Sequence, residues 1–280
     1  RKNHDRQYRG MEMEGLKKRR QAPLVYIDRD AQLAPGYLLV WGCFDFEESL
    51  YGAILLDTDG KVVHRWIPDE QDVRKEVDAF NTSLEYVEDK LDYKPPETRF
   101  PHGLAVFPDG SLVLNDGDPG NGMQKIDFHS NTEWVKLGRF NHTISEDIKD
   151  YTLWTLDGDR FLHKIDASGG KSLQSINLQD VMRSNTMIDI MNIRCDLTNG
   201  EWLKERWHIN DVEPLPAEYE AAYEGLKAGD LLVSLRSLNA VLMIDPDTKK
   251  IKWWRVGAYS RQHDPDWQPD GSITVYDNQM

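Results

Sequence analysis

Short apolar runs, each broken after a few residues by Gly, Pro, Asp or Asn, set the pattern of this chain. YLLVWGCF (37–44) and YGAILLD (51–57) are rich in β-branched and aromatic residues and too short for helices, so they predict strands. Four longer pieces repeat one theme: ILLDTDGKVVHRW, MQKIDFHSNTEWV, FLHKIDASGGKSLQ and VLMIDPDTKKIKWW. In each, apolar residues lead into an aspartate (Asp57, Asp127, Asp166, Asp245), a turn follows, and a polar-apolar strand runs on from it. That is the pattern of a β-hairpin with aspartate at the turn.

Between the hairpins a second theme recurs. His102, His208 and His263 each stand six residues before a proline, at Pro108, Pro214 and Pro269, and apolar strands such as SLVLND and SITVYDN follow the turn. Units of about four strands start near His102, His142, His208 and His263, and a period of roughly 40 residues or more with four strands is that of a β-propeller blade. The reading is therefore all-β, with helices confined to insertions: EQDVRKEVDAFNTSLEYVEDKLDY (70–93), apolar at helical spacing, and PAEYEAAYEGLKAGD (216–230). A parallel α/β sheet is excluded, because it needs a helix between nearly all strands.

In a propeller the inner strands converge, so a residue fixed at the start of each reaches a common pocket. The histidines are thus expected to face one another, with Asn210 and Asp211 close by. Arg236 lies in the apolar stretch LLVSLRSLNAVLMID. Read as a strand position, it needs a partner or a wet channel for its charge, and an anion clamp is one such role. Imidazoles with one arginine suit an anion better than a metal; no His-x3-His pair occurs, and no metal or cofactor is expected. The DGDPGNG run (116–122) departs from a calcium loop at Gly120.

Composition narrows the partners. With 39% hydrophobic residues and nine tryptophans in 280, the chain has the material for a packed core. A net charge of −14 argues against nucleic acid, which needs clustered Lys and Arg. Residues 1–20 carry eight basic against three acidic residues, so 1–34 reads as a basic lead, solvated or beside an anionic membrane surface, ahead of a propeller domain at 35–280. No apolar run is long enough to span a bilayer. A start at Arg1 and an end at DNQM, directly after an inner strand, lead to the expectation of a chain trimmed at both ends, the propeller included. Cys43 and Cys195 fit either one disulfide or two buried thiols.

Three segments, WHINDVEPL, GDLLVSLRSLNAVLMIDPDTKKIKWW and RQHDPDWQPDGSITVYDN, resemble the arylsulfotransferases of the aryl-sulfate type, and the resemblance extends over about residues 35–280. It implies a six-bladed propeller in the periplasm or outside the cell, in some cases held to the membrane by an anchor. Such enzymes move a sulfuryl group from an aryl sulfate to a phenol through a sulfohistidine, without a nucleotide donor. By the same resemblance His263 is the transient acceptor, His208 and Asn210 are the substrate-contacting pair, Arg236 binds the sulfate, and His142 is the histidine of the preceding blade. His102 joins them by its spacing. Two other classes stay open: a propeller that only binds a ligand or protein, and a quinoprotein-like propeller, whose docking repeat DPDTKKIKWW approaches except at Lys249.

Overall fold

The computed structural model describes residues 35–45, 50–83, 102–115, 122–158, 160–189 and 207–279. The basic lead, Cys195, the Cys43 side chain and residues 116–121 of the DGDPGNG run lie outside what is described. Of the described residues, 35–40 and 53–65 make up one compact unit, and 41–52 together with 66–279 a second.

Among the described residues five sheets follow one another along the chain, and in the last four the neighbouring strands pair antiparallel. The first has three strands in the order β1 (Leu38–Asp45), β2 (Leu50–Leu56), β3 (Val62–Trp66). The second runs β4 (Leu104–Val106), β5 (Leu112–Asn115), β6 (Gly122–Ile126), β7 (Thr132–Leu137). The third has β8 (Phe140–Asp147), β9 (Thr152–Asp157), β10 (Phe161–Asp166) and β11 (Ser172–Asn177), again in chain order. The fourth is β12 (Ile209–Pro214), β13 (Leu231–Leu235), β14 (Ala240–Ile244) and β15 (Ile251–Val256). A last pair, β16 (His263–Trp267) and β17 (Ile273–Tyr276), makes the fifth. Consecutive up-and-down sheets of this kind are β-propeller blades.

The repeated aspartates explain why the last two strands of each of the first four sheets meet in a tight hairpin. Asp127 Oδ1 accepts from the backbone N–H of His129 (2.8 Å) and Asn131 (2.8 Å). Asp57 does the same for Asp59 and Lys61, and Asp245 for Asp247 and Thr248. Each carboxylate satisfies turn amides that have no cross-strand partner, which is why one residue type recurs at this place.

Packing between sheets supplies the core. Phe107, Val113 and Met123 of the second sheet interdigitate with Phe140, Ile144 and Leu153 of the third. Trp154, Leu162 and Ile176 of the third meet Val212, Val233 and Leu242 of the fourth. Leu232, Val241 and Met243 of the fourth reach Trp267 of the fifth. Indoles stitch the same joints, with Trp134 Nε1 donating to the Ala167 carbonyl at 3.0 Å and Trp267 Nε1 to the Glu213 carbonyl at 3.2 Å.

The insertions differ from the sequence reading in detail. A helix, α1, does run from Glu70 to Ser83, burying Val73 and Val77; residues 84–93 of the predicted helix are outside the described set. The segment 216–230 is not one helix. It forms only a 3₁₀ turn over Ala217–Ala222, because Gly225 and Gly229 take left-handed φ of 78° and 85° that no α-helix accommodates. A short unpredicted helix, α2 (Leu178–Ser184), follows β11 and is capped by Asn177, whose Oδ1 accepts from the Gln179 N–H at 2.9 Å.

Candidate active site

The first strand of each of the last four sheets brings a histidine to one place. His102 stands two residues before β4, His142 inside β8, His208 just before β12, and His263 opens β16. Their rings gather round His142. It stacks on His102 at 5.0 Å between centroids, meets His208 edge-on at 5.3 Å and lies 6.4 Å from His263. Together with Asn210, three of these histidines line a cavity of about 620 Å³, and His208 joins the cluster through His142.

A local irregularity accompanies three of the four approaches, those of His142, His208 and His263. Register shifts interrupt the pairing of the first strand with the second between Asn141 and Ile144, between Ile209 and Asp211, and between His263 and Asp266. Such bulges re-aim side chains. His142 (φ 54°), His208 (φ 45°) and Asp264 (φ 51°) take left-handed backbone at these points, a conformation costing a non-glycine residue about 1 kcal/mol or more. The strain sits where the side chains must turn inward.

Arg236 is not within a strand, as the apolar stretch around it suggested. It starts a 3₁₀ turn, Arg236–Leu238, between β13 and β14, ended by left-handed Asn239. Its N–H donates to the His208 carbonyl at 3.1 Å, so a half-buried turn, and not a sheet face, positions the guanidinium. Its charge is felt at both His142 and His263. All six residues singled out in the sequence, His102, His142, His208, Asn210, Arg236 and His263, thus come together at one end of the fold's inner strands.

Electrostatically this end repels protons. Burial, the neighbouring imidazoles of His102, His208 and His263, and Arg236 push His142 down to about 3. Burial also lowers His263, against the pull of the Arg261 carbonyl. Both rings are therefore neutral at neutral pH. His263 Nδ1 lies 3.1 Å from the Arg261 carbonyl and 2.8 Å from Asn278 Nδ2, which itself donates to that carbonyl at 2.7 Å. The carbonyl takes a proton from Nδ1 and the amide gives one to it, so the two partners favour opposite tautomers.

Residues 140–280, half of the chain, match the family model described as Arylsulfotransferase (ASST). The chain belongs to the arylsulfotransferase family. The matched arylsulfotransferase segment holds His142, His208, Asn210, Arg236 and His263, while His102 precedes it. No curated protein matches the chain. Among solved structures it is similar to the WD40 β-propeller domain of Doa1, with a TM-score of 0.45 and 9% identity over 81% of this chain and 55% of that one. It is also similar to selenomethionine-substituted virginiamycin B lyase from Staphylococcus aureus, with TM-score 0.40 and 12% identity over 64% and 49%. A catalytically inactive variant of that lyase with quinupristin gives 0.43 and 12% over 65% and 50%. The chain spans about half the length of each of these structures.

Several residues of this arylsulfotransferase site escaped the sequence reading. Asn115, fully buried, accepts from the Gly103 N–H through Oδ1 (3.1 Å) and donates through Nδ2 to the His142 carbonyl (3.2 Å), tying the approach of one histidine to the next. Asn239 Oδ1 accepts from the Arg261 N–H at 2.8 Å, and Gln262 spans Ser234 and the Ala240 carbonyl. Asn115 and Asp157 end a sheet's second strand, Asn278 stands two residues past one, and Asn239 closes the turn between the second strand and the third. An Asn or Asp closing each second apolar run was the available signal. Glu146, Glu213, Asp264 and Asp266, which share the cavity with Asp211, carried no such pattern.

Proposed function

We propose that this chain carries an aryl-sulfate sulfotransferase site, in which a sulfuryl group passes from an aryl sulfate to a phenol through His263. The observation that carries the reading is the gathering of four imidazoles, three of them lining one cavity, in the field of Arg236, with all but His102 inside the segment matched to the family. An anion fits there and the nucleophile is unprotonated.

In the first step a lone pair on His263 Nε2 attacks sulfur. The S–N bond forms as the S–O bond to the aryl group breaks, and the leaving phenolate takes a proton from His208. The tautomer this needs has the proton on Nδ1, directed at the Arg261 carbonyl, which leaves Nε2 with its pair. In the second step the acceptor phenol gives its proton back to His208, its oxygen attacks sulfur, and the N–S bond to His263 breaks. Arg236 pairs with the sulfuryl oxygens throughout, as cations do in phosphoryl transfer. The donor is already activated, so no nucleotide enters, and the chemistry suits a compartment outside the cytoplasm.

Incubation with a chromogenic aryl sulfate alone should leave a sulfuryl adduct on the peptide containing His263, detected by mass spectrometry, and kinetics with a phenol should be ping-pong. Sulfate alone should raise the Tm of the wild type and not of Arg236→Ala. Sequential kinetics together with full turnover in His263→Ala would refute the covalent step.

A further inference from the structure

The cavity has two ends of opposite character. Past the histidines the same inner strands carry Glu146 on β8, Asp211 and Glu213 on β12, and Asp264 and Asp266 on β16, all lining the one cavity. Asp211, Glu213 and Glu146 lie three to five residues beyond their histidines, which at about 3.3 Å per strand residue is roughly 10 to 16 Å along the strand, shortened by the reach of the side chains. That is comparable to the length of an arylalkylamine. Among the described residues no lysine or arginine forms an ion pair with any of these five carboxylates. The donors that do reach them are few: the Thr143 hydroxyl to Asp211, the Trp267 N–H to Glu213 at 3.3 Å, and the Thr274 hydroxyl to Asp266 at 3.2 Å.

A second observation points the same way. Asn210, only 5% exposed, also lines the cavity. Its Nδ2 is committed to the Gln262 carbonyl at 2.7 Å, which fixes the orientation of the amide and leaves Oδ1, an acceptor only, buried without a hydrogen-bond partner. A buried acceptor without a donor, beside carboxylates that have no cationic partner among the described residues, calls for a donor carrying positive charge. A bare metal ion fits poorly, because among the described residues no three His, Cys, Asp or Glu side chains converge closely enough to hold one.

We propose that this end of the cavity is a binding site for an organic ammonium group, so that the acceptor is a cationic phenol, its hydroxyl at the histidines and its ammonium among Asp211, Glu213 and Asp266. The substrate class rests on the sulfotransferase reading; the cation site does not. Repulsion among these carboxylates shows in their protonation. Burial with Asp266, Asp264 and Glu146 lifts Glu213 to about 8, and burial with Glu213 and Asp264 raises Asp211. Burial raises Glu146 too, and burial with Asp264 raises Asp266. A bound ammonium opposes that repulsion, so binding releases protons and tightens as pH rises towards 8.

The test is calorimetry on the full chain with 2-phenylethylamine, which has no hydroxyl and cannot be sulfated, against ethylbenzene derivatives without charge. The amine should bind, release protons (seen as an enthalpy that depends on the buffer), and lose roughly tenfold or more in affinity in Glu213→Gln, the scale of one charge-assisted hydrogen bond. Asp264→Asn, at an exposed position, is the second variant and should weaken binding less. Equal affinity for amine and uncharged analogue, or amine binding unchanged in both variants, overturns the site. So does magnesium or calcium binding at these carboxylates in place of the amine. Activity then separates the two readings. If 4-(2-aminoethyl)phenol and 4-ethylphenol accept sulfuryl equally well, the cation site falls and the transferase stands. Amine binding that depends on Glu213 with no transfer to either phenol leaves the cation site and removes the transferase.

Discussion

Acid should attack this protein through His142. Its imidazole, near 6.5 when unfolded, is held at about 3 in the native state by burial among three other imidazoles and Arg236. Between those values the unfolded chain binds a proton that the folded chain refuses, so stability falls as pH drops through the window. The whole shift corresponds to roughly 5 kcal/mol at about 1.4 kcal/mol per unit, a large part of the 5–15 kcal/mol typical of a folded domain. At pH 4 about 3 kcal/mol of that is already lost relative to pH 7. The carboxylates work in the opposite sense: Glu213, raised from 4.5 to about 8, holds an extra proton in the folded state across that interval and stabilises it on acidification. On His142 and Glu213 alone the curve would be nearly flat from pH 4.5 to 6.5 and fall on either side; Asp211, Glu146 and Asp266, also raised, add to the carboxylate arm. Replacing His142 with Gln removes one arm and leaves the other. The measurement is urea unfolding followed by tryptophan fluorescence at pH 4 and pH 7 for both proteins. His142→Gln should gain about 3 kcal/mol on the wild type between pH 7 and pH 4. Parallel pH profiles would show that His142 is not held neutral by its neighbours, and the electrostatic picture of the site would fail.

Gly103→Ala should destabilise by about 1–3 kcal/mol, since a Cβ there would sit 2.5 Å from the His142 carbonyl and 2.8 Å from Asn115 Nδ2; an unchanged Tm would show that the approach of His102 is loose. Asn278→Asp should favour the proton on His263 Nδ1 and raise the acid limb of the kcat/KM profile by about one unit, whereas Asn278→Ala should leave only the Arg261 carbonyl at Nδ1 and keep turnover; coincident pH profiles for the three proteins would remove Asn278 from the site.

The hairpins and the histidine approach were legible in the sequence because each is fixed by local chemistry. Asp127 and its counterparts cap their own turns, and a histidine six residues before a proline marks the length of one inner strand. What was not legible depends on distance along the chain. Arg236 looked like a strand residue because its neighbours are apolar, yet β13 stops at Leu235 and Arg236 opens a 3₁₀ turn that left-handed Asn239 closes. The helical composition of 216–230 gave way to Gly225 and Gly229, which take left-handed backbone that composition does not announce. The carboxylates at the far end of the cavity come from three sheets, and nothing in the spacing of Glu146, Glu213 and Asp266 says that they meet.

One imidazole per sheet means that no sheet holds the site by itself. A fragment with the second and third sheets could keep the core between them and still bring together only His102 and His142. The separations among the four rings are set by the thickness of the apolar layers between blades, where Ile144 and Val212 lie buried. Hydrostatic pressure, or a methyl group removed from one of those layers, should therefore retune the site in small graded steps without touching a histidine.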